Sequence, residues 1–327
     1  MLQILTGLFL SIFYENNLNL RFDRIRQIER NINLGWMIRS LHANGASLFF
    51  VLIYAHIGRG LFFKSYFLTP VWLSGVIILL LLFIIAFIGY VLPWGQIRFW
   101  GATVITNLLT SIPYLGNIIT TWLWGGFSIE KATLIRFFRL HFLLPFILTR
   151  IVLRHIIFLH NRGSNNPLGS NSNLDKIPFQ PYFIWKDLIG LFICLTLFLT
   201  FLLIFPFRLI DPDNFIPANP IVTPPHIQPE WYFLFAYAIL RTIPNKLGGV
   251  LALVSSILIL ALLPLTKITN KKTNNIKNKI IFKISFFFWI NNFIYLTLIG
   301  AMPIETPFTT TSLFRAILYF LFYLLCI

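Results

Sequence analysis

Two pairs of histidines, each pair separated by 14 residues, are the side chains whose type and spacing best indicate chemistry. His42 and His56 form the first pair, and His141 and His155 form the second. Fourteen residues of α-helix span about 21 Å and about 3.9 turns, so both histidines of a pair face nearly the same way. Two such helices, parallel and side by side, would oppose His42 to His141 and His56 to His155. Because imidazole binds haem iron, the spacing predicts two stacked two-histidine haem sites.

Glycines and arginines near these histidines fit the same prediction, but they also have simpler explanations. Gly75 and Gly89 are also 14 residues apart, on the apolar stretch between the two histidine stretches. A flat macrocycle against a helix needs a position without a Cβ, although small residues also let membrane helices approach one another. Arg39 and Arg59 lie three residues outside the first histidine pair, where they could bind haem propionates or extend to lipid headgroups. Structural or proton-relay roles for the histidines stay open at this point.

Other residues could move protons at the two membrane boundaries. The segment Pro229–Tyr232 places the carboxylate of Glu230 between a proline and aromatic side chains. There it could accept a proton from a hydroxylated aromatic ligand, or be an ordinary interfacial residue. His160, Lys186 and Asp187 lie at the ends of apolar stretches on the opposite side. They could supply protons to a reduced ligand, or be ordinary boundary residues.

The composition indicates that membrane-spanning helices carry these residues. Of the 327 residues, 57% are hydrophobic and 11% are charged, and the mean hydropathy is +0.79. These values exclude an ordinary soluble domain and indicate a polytopic membrane protein. The formal net charge of +16 would suggest nucleic acid binding in a soluble protein. Here the basic residues mostly flank apolar stretches, so membrane topology explains them and no nucleic-acid partner is expected.

The predicted fold is an all-α polytopic bundle of about eight transmembrane helices, with interfacial helices in the long loops. Met1–Phe13 is apolar but too short to span, and we interpret it as the end of a first helix whose beginning is missing. Residues 1–160 are predicted to form a haem-binding bundle, residues 161–186 a loop, and residues 187–327 the C-terminal helices with a Pro-rich segment at 205–247. The full spans are predicted at about 36–62, 71–93, 131–160, 187–207, 247–265, 284–300 and 313–327, with a polar surface connection at 14–35 and short interfacial helices at 94–130.

Seven motifs, taken in order along the chain, resemble the cytochrome b family of respiratory cytochrome bc complexes. They are HANGAS, YVLPWGQ, FWGATVITNLL, RFFRLHFLLPF, GSNNP, DPDNF and PEWYF. The resemblance runs from about residue 2 to the end of the chain, and it implies an eight-helix subunit whose first four helices bind two b-type haems. The 14-residue spacing of the second histidine pair, and a single chain that continues through the last spans, favour the respiratory form over the photosynthetic one.

The resemblance also implies a role for each candidate residue near the haems. His42 and His141 correspond to the ligands of the low-potential haem, and His56 and His155 to the ligands of the high-potential haem. The glycines against which the haems pack correspond to Gly7, Gly75 and Gly89. The usual partner of Gly7 would lie in the missing start.

Two quinone sites are implied in the same way. Quinol oxidation corresponds to the segment Pro229–Tyr232, with Glu230 as the proton acceptor. The residues that correspond to the lining of that pocket are Tyr90, Gly101, Phe233 and Tyr237. Quinone reduction corresponds to His160, Lys186 and Asp187.

The resemblance implies that ubiquinol gives one electron to an iron–sulfur (Rieske) protein, which reduces a c-type cytochrome, and the other to quinone through both haems. It further implies the other subunits of complex III, membrane lipid, a homodimer and the mitochondrial inner membrane. Two alternatives remain: a two-haem membrane anchor of a dehydrogenase or hydrogenase, which needs the histidines but not Pro229–Tyr232, and a transporter, which predicts no haem.

Several arginines depart from the pattern of the family. Arg98, Arg139, Arg150, Arg154 and Arg162 stand where relatives carry small, apolar or hydroxyl residues. An arginine in the middle of a span costs about 2.5–3.5 kcal/mol on insertion scales. Our hypothesis is that some of these positions, with Arg24 and Arg26, are serine codons of a variant mitochondrial code that are read here as arginine.

Overall fold

The computed structural model describes residues 1–15, 21–164, 166, 172–268 and 276–326, without the side chains of 172, 266–268, 276–279 and 325–326. Most of the Asn- and Ser-rich part of the predicted 161–186 loop, namely residues 165 and 167–171, lies outside these ranges. The regular structure of the described residues is helical, and extended backbone pairs there only at an isolated bridge between Gly95 and Pro217.

Helices account for most of the described chain. In the first half these are α1 (Leu2–Phe13), α2 (Arg21–Asn31), α3 (Gly35–Phe62), α4 (Thr69–Val91), α5 (Gln96–Asn107), α6 (Gly116–Trp124) and α7 (Lys131–Arg162). In the second half they are α8 (Tyr182–Ile204), α9 (Leu234–Thr242), α10 (Lys246–Leu258), α11 (Ile276–Gly300) and α12 (Phe308–Cys326). Short 3₁₀ segments lie at Ser65–Phe67, Leu108–Ser111, Ser172–Leu174, Pro212–Phe215, Trp231–Phe233 and Ile259–Ile268.

Six helical segments of the described chain are long and apolar enough to cross a membrane. They are Gly35–Phe62, Thr69–Val91, Lys131–Arg162, Tyr182–Ile204, Lys246–Leu265 and Ile280–Gly300. Two shorter apolar helices, Leu2–Phe13 and Phe308–Leu324, lie where the sequence predicts the first and last spans. The predicted fold class, an all-helical polytopic membrane bundle, is confirmed.

The second histidine helix begins at a capping box. The Glu130 side chain accepts a hydrogen bond from the backbone N–H of Thr133, and the Thr133 hydroxyl accepts one from the backbone N–H of Glu130 at 3.3 Å. These bonds satisfy amide donors that a helix N-terminus otherwise leaves unpaired. The helix then continues for 32 residues, with Pro145 inside it. His141 and His155 therefore lie on one helix, as the sequence predicts.

Each histidine helix is supported by an apolar neighbour. Helix α4 packs along α7, and α1 packs along α3. Helices α3 and α7 face one another across histidine rings. In the second half, α9 packs against α10, α11 and α12. One buried apolar cluster, which includes Phe50, Leu82, Tyr232 and Leu263, joins the two halves.

Two further helices lie outside the predicted spans, and α2 lies where the sequence predicts only a surface connection. Helix α2 occupies much of the predicted surface connection at 14–35, because its amphipathic pattern buries Arg21 and Ile28 and leaves most of its other side chains at least partly exposed. Helix α9 lies inside the Pro-rich segment 205–247, in the apolar stretch between Pro229 and Pro244. The short helices predicted within 94–130 are present as α5 and α6.

Candidate haem and quinol site

The four histidines of the two 14-residue pairs meet as two facing pairs. The ring centres of His42 and His141 are 6.1 Å apart, with an angle of 89° between the ring planes. The ring centres of His56 and His155 are 6.4 Å apart, with an angle of 66°. The first histidine of α3 faces the first of α7, and the second faces the second, so α3 and α7 run parallel. The geometry predicted from the spacing is confirmed.

These separations fit one metal ion between each pair. An imidazole nitrogen lies about 2 Å from the metal that it binds, and about 1.1 Å from the centre of its own ring. Two imidazoles on opposite sides of one metal therefore have ring centres about 6 Å apart, which is the separation that both pairs show. The paired rings thus fit the axial ligands of two haems.

In three of these histidines, a hydrogen bond at Nδ1 determines which ring nitrogen carries the proton. Thr6 Oγ1 lies 2.9 Å from His42 Nδ1, and Ser74 Oγ lies 2.9 Å from His155 Nδ1. Both hydroxyls donate their own proton to a backbone carbonyl of their helix, so each accepts the Nδ1 proton. His141 Nδ1 lies 2.9 Å from a backbone carbonyl of α4, which can only accept. In all three rings Nε2 therefore carries the lone pair that a metal requires.

The three predicted packing glycines lie against three of the histidine rings. A Cβ at Gly7 would be 3.0 Å from His42 Cε1, and one at Gly75 would be 3.3 Å from His155 Cε1. At Gly89 a Cβ would overlap the ring of His141. Any side chain at Gly89 would thus displace that ring, which explains the need for glycine.

Two buried arginines, Arg39 and Arg98, line the same cavity as the His42–His141 pair, whereas Arg59 was predicted beside His56. Arg39 is 8% exposed, and its Nε pairs with Glu29 at 3.0 Å. Arg98 is 4% exposed, and burial lowers its pKa to about 9. Within the described residues one nitrogen of Arg39 and two of Arg98 lack an acceptor, so both can bind an anion such as a propionate. Arg59 is exposed and lines a different cavity.

One cavity of about 520 Å³ connects a histidine pair with the predicted proton acceptor. His42, His141, Glu230 and Tyr232 all line it. Glu230 is 9% exposed, and in the described part of the chain its Oε1 has no hydrogen-bond donor. Burial raises the pKa of this carboxyl to about 8. The arrangement thus places a carboxyl group of raised pKa and two imidazole rings around the same space.

The segment that carries Glu230 is held by aromatic packing. Tyr232 is 3% exposed and stacks on Phe50 at 4.0 Å between ring centres. Its backbone carbonyl accepts a hydrogen bond from the Tyr54 hydroxyl at 2.5 Å. Phe233 follows in the same 3₁₀ turn and lies 5.2 Å from the ring of Phe83. Half-buried Pro229 precedes Glu230, so the carboxylate sits on a short, rigid turn.

The other predicted lining residues are spread around this segment. Tyr90 lines the cavity, and its hydroxyl accepts a hydrogen bond from Asn214 Nδ2 at 3.1 Å. Tyr237 is one of the α9 residues and donates to the Ile227 carbonyl at 3.4 Å. Beside Gly101 a Cβ would meet only open space within 4 Å. Tyr90 is thus the one of these three that the Glu230 cavity includes, and Gly101 leaves room for a ligand beside α5.

The residues predicted for quinone reduction lie at the other end of the helices. His160 is near the end of α7, and Lys186 and Asp187 are in α8. All three side chains are exposed. Among the described residues, the ion pairs are Arg24–Glu15 and Arg39–Glu29, so these three are not paired with one another. Their shared role stays a prediction.

Two known protein families match this chain, one in each half of the helices. The family described as "Cytochrome b/b6/petB" matches residues 1–163, and the one described as "Cytochrome b(C-terminal)/b6/petD" matches residues 217–320. The chain belongs to the cytochrome b family. A chain of the solved structure titled "Hyperthermophilic respiratory Complex III" is 32% identical to this cytochrome b, with a TM-score of 0.90 over 99% of this chain and 86% of that chain. This cytochrome b is thus a multi-pass membrane protein of electron transport, from a family that binds b-type haem.

The hydroxyls of Thr6 and Ser74 are functional candidates that sequence reasoning missed in this cytochrome b. They belong to helices other than those of the histidines that they contact. Each immediately precedes a predicted packing glycine, Gly7 or Gly75. That adjacency is the signal that could have identified them, because a residue next to a contact glycine lies near the same interface.

Proposed function

We propose that this chain is the haem- and quinone-binding subunit of a ubiquinol–cytochrome c oxidoreductase. The observation that carries the proposal is the single cavity lined by His42, His141 and Glu230, because it joins a metal-binding pair to a desolvated base. A two-haem anchor without its own quinol-oxidation site would have no use for Glu230 in that cavity. The chain would therefore both oxidise quinol and conduct electrons.

In the proposed assignment His42 and His141 hold the low-potential haem, and His56 and His155 hold the high-potential haem. Bound haems would supply one-electron transfer between the two membrane faces. The residues of the chain orient the four imidazoles, and Arg39 with Arg98 offers unpaired N–H groups to anionic substituents near the first pair. Arg59 would bind a propionate of the second haem.

Glu230 would accept a proton from bound quinol. Because burial raises its pKa to about 8, its carboxylate is a stronger base than an exposed one. A base whose pKa lies near the working pH is efficient in general base catalysis. Tyr232 and Pro229 hold the turn that positions it, and the residues Tyr90, Gly101, Phe233 and Tyr237 would contact the quinol ring or its approach.

At the opposite end, His160, Lys186 and Asp187 would deliver protons to reduced quinone. Their exposure supports this role, because exposed groups exchange protons with water. With proton release near Glu230 and uptake near His160, the chain would contribute to a proton gradient. We further propose an iron–sulfur protein, a c-type cytochrome and other complex III subunits as partners, a homodimer as the assembly, and the mitochondrial inner membrane as the location.

Two measurements on the purified complex test this function. A reduced-minus-oxidised optical spectrum should show two spectrally distinct b-type haems per chain. Quinol-dependent reduction of cytochrome c should be present, and it should be blocked by inhibitors that compete with quinol. Two haems without inhibitor-sensitive quinol oxidation would instead indicate the membrane anchor, and the absence of haem would contradict both.

A further inference from the structure

A buried ion pair joins Arg39, which lines the cavity of Glu230, to Glu29 of helix α2. Arg39 Nε lies 3.0 Å from Glu29 Oε1, and the two side chains are 10% and 19% exposed. The other ion pair of the described residues, Arg24–Glu15, has side chains that are 40% and 46% exposed. Glu29 is thus a carboxylate largely removed from water, directly behind an arginine of the proposed haem site.

The close approach of α2 to α3 places Glu29 beside Arg39. Leu34, between the two helices, has a φ of 60°, so the chain turns sharply there. A Cβ at Gly35, the first residue of α3, would lie 1.8 Å from the backbone oxygen of Ile28, and only glycine permits this contact. Arg39 follows Gly35 by four residues and therefore lies on the same side of α3. Since Glu29 follows Ile28, this corner brings the carboxylate to the arginine.

Helix packing alone does not explain why this pair is buried. Removing a carboxylate and a guanidinium from water is costly, and apolar side chains of similar size often stabilise a protein as well or better. Within the described residues Glu29 Oε1 has no hydrogen-bond donor, and Arg39 Nη1 has no acceptor. Because a guanidinium is planar and rigid, a carboxylate held at Nε also fixes the plane in which Nη1 is offered to a second anion.

The charges of this pair would act mainly on one of the two haem sites. Arg39 precedes His42 by three residues, a helix rise of about 4.5 Å, whereas His56 is 17 residues away, a rise of about 26 Å. Oxidised haem iron carries one more positive charge than reduced iron. A nearby cation therefore favours reduction, and a nearby carboxylate opposes it. Glu29 supplies a negative charge that cancels much of the effect of Arg39 at the His42 end of α3.

We propose that Glu29 is a positioning residue that acts through Arg39: it orients the guanidinium, balances its charge and so lowers the midpoint potential of the haem proposed for His42 and His141. The inference rests on the proposed function, because it requires a haem at that pair. With Glu29 in place, Arg39 still offers an N–H group to a propionate, but it adds little net positive charge beside the iron.

Optical redox titration of the assembled complex in membranes tests this role, because it measures both haems in one sample. Glu29→Gln keeps the size of the side chain and removes its charge. A unit charge at about 12 Å, in a medium with an effective dielectric constant of about 20, changes an equilibrium about tenfold. The potential of the His42–His141 haem should therefore rise by about 59 mV, and that of the other haem should not change. Glu29→Asp retains the charge and should restore at least half of the difference.

Glu15→Gln is the matched control, because it removes one carboxylate from the exposed ion pair with Arg24. Water and salt screen that charge, so both potentials should stay unchanged. Glu29→Met is a second neutral variant, to be measured if Glu29→Gln does not assemble. An unchanged potential in the neutral Glu29 variant, or an equal shift of both haems, would overturn the proposal and leave the proposed function intact. An unsubstituted chain without haem would overturn both.

Discussion

Removing the Ser74 hydroxyl should change the redox potential of one haem and leave the other unchanged. Ser74 Oγ accepts the Nδ1 proton of His155 at 2.9 Å, and Ser74 is 7% exposed, so water cannot readily replace it. An acceptor at Nδ1 makes an imidazole a stronger electron donor, which favours the oxidised iron. Ser74→Ala should therefore raise the midpoint potential of the haem that we propose for His56 and His155.

The strength of one hydrogen bond sets the upper limit of this change. A neutral hydrogen bond in a protein has a net value of about 1 kcal/mol. Only the part of it that differs between the oxidised and the reduced haem shifts the potential, and about 1.4 kcal/mol corresponds to 59 mV for a one-electron couple, so the increase should be at most about 40 mV. Optical redox titration of membranes, monitored at the two haem bands, measures both potentials in the same sample.

The matched variant is Thr6→Ala, because Thr6 makes the same 2.9 Å contact to His42 and is 6% exposed. It should raise the potential of the other haem by a similar amount. Ser74→Thr retains the hydroxyl and should behave like the unchanged chain. If Ser74→Ala shifted both haems equally, or neither, the hydrogen bond would not tune the iron and the reasoning would be refuted.

Three further predictions concern the base, a contact glycine and the arginines. Glu230→Gln should lower the rate of quinol oxidation at least about 100-fold and leave the haem spectrum unchanged. It should also remove the rise in rate as the pH passes about 8, where this buried carboxyl loses its proton. A variant that kept the pH profile of the unchanged chain would contradict the assignment. Gly89→Ala should lower the haem content from two to one per chain, because the new Cβ would overlap the ring of His141. Gly101→Ala is the control, because a Cβ there meets only open space, and it should retain both haems. Equal haem content in the two variants would contradict this prediction. Mass spectrometry of peptides that cover residues 139–162 should find serine at some arginine positions, and arginine at both 150 and 154 would end that hypothesis.

The histidine geometry could be predicted from the sequence because helices are rigid over this length. Two residues 14 apart on an α-helix must face the same way, so only the pairing of the helices remained to be found. The supporting hydrogen bonds could not be predicted. Thr6, Ser74 and the carbonyl that accepts from His141 belong to other helices, and their contacts depend on helix rotation and depth, which no local pattern encodes.

The position of Glu230, which lies in a loop, could not be predicted from local sequence either. The sequence identifies a carboxylate beside proline and aromatic residues, but many such residues simply lie at a membrane interface. Its placement in the cavity of His42 depends on long-range contacts, such as Tyr232 stacking on Phe50 and Tyr54 donating to the Tyr232 carbonyl. Helix α2 was missed for a related reason, since its many charged residues concealed a narrow buried face.

The surroundings of the unusual arginines separate two explanations for them. A haem propionate could satisfy Arg98, which is 4% exposed, lies 3.4 Å above the Tyr90 ring and has two unpaired nitrogens. It could not satisfy Arg139, Arg150 and Arg154, because these side chains are exposed on a helix that spans the membrane. An unpaired arginine on a membrane-spanning helix costs about 2.5–3.5 kcal/mol on insertion scales. Serine at these three positions removes that cost, so the exposed arginines favour the variant-code hypothesis over a specialised anion site.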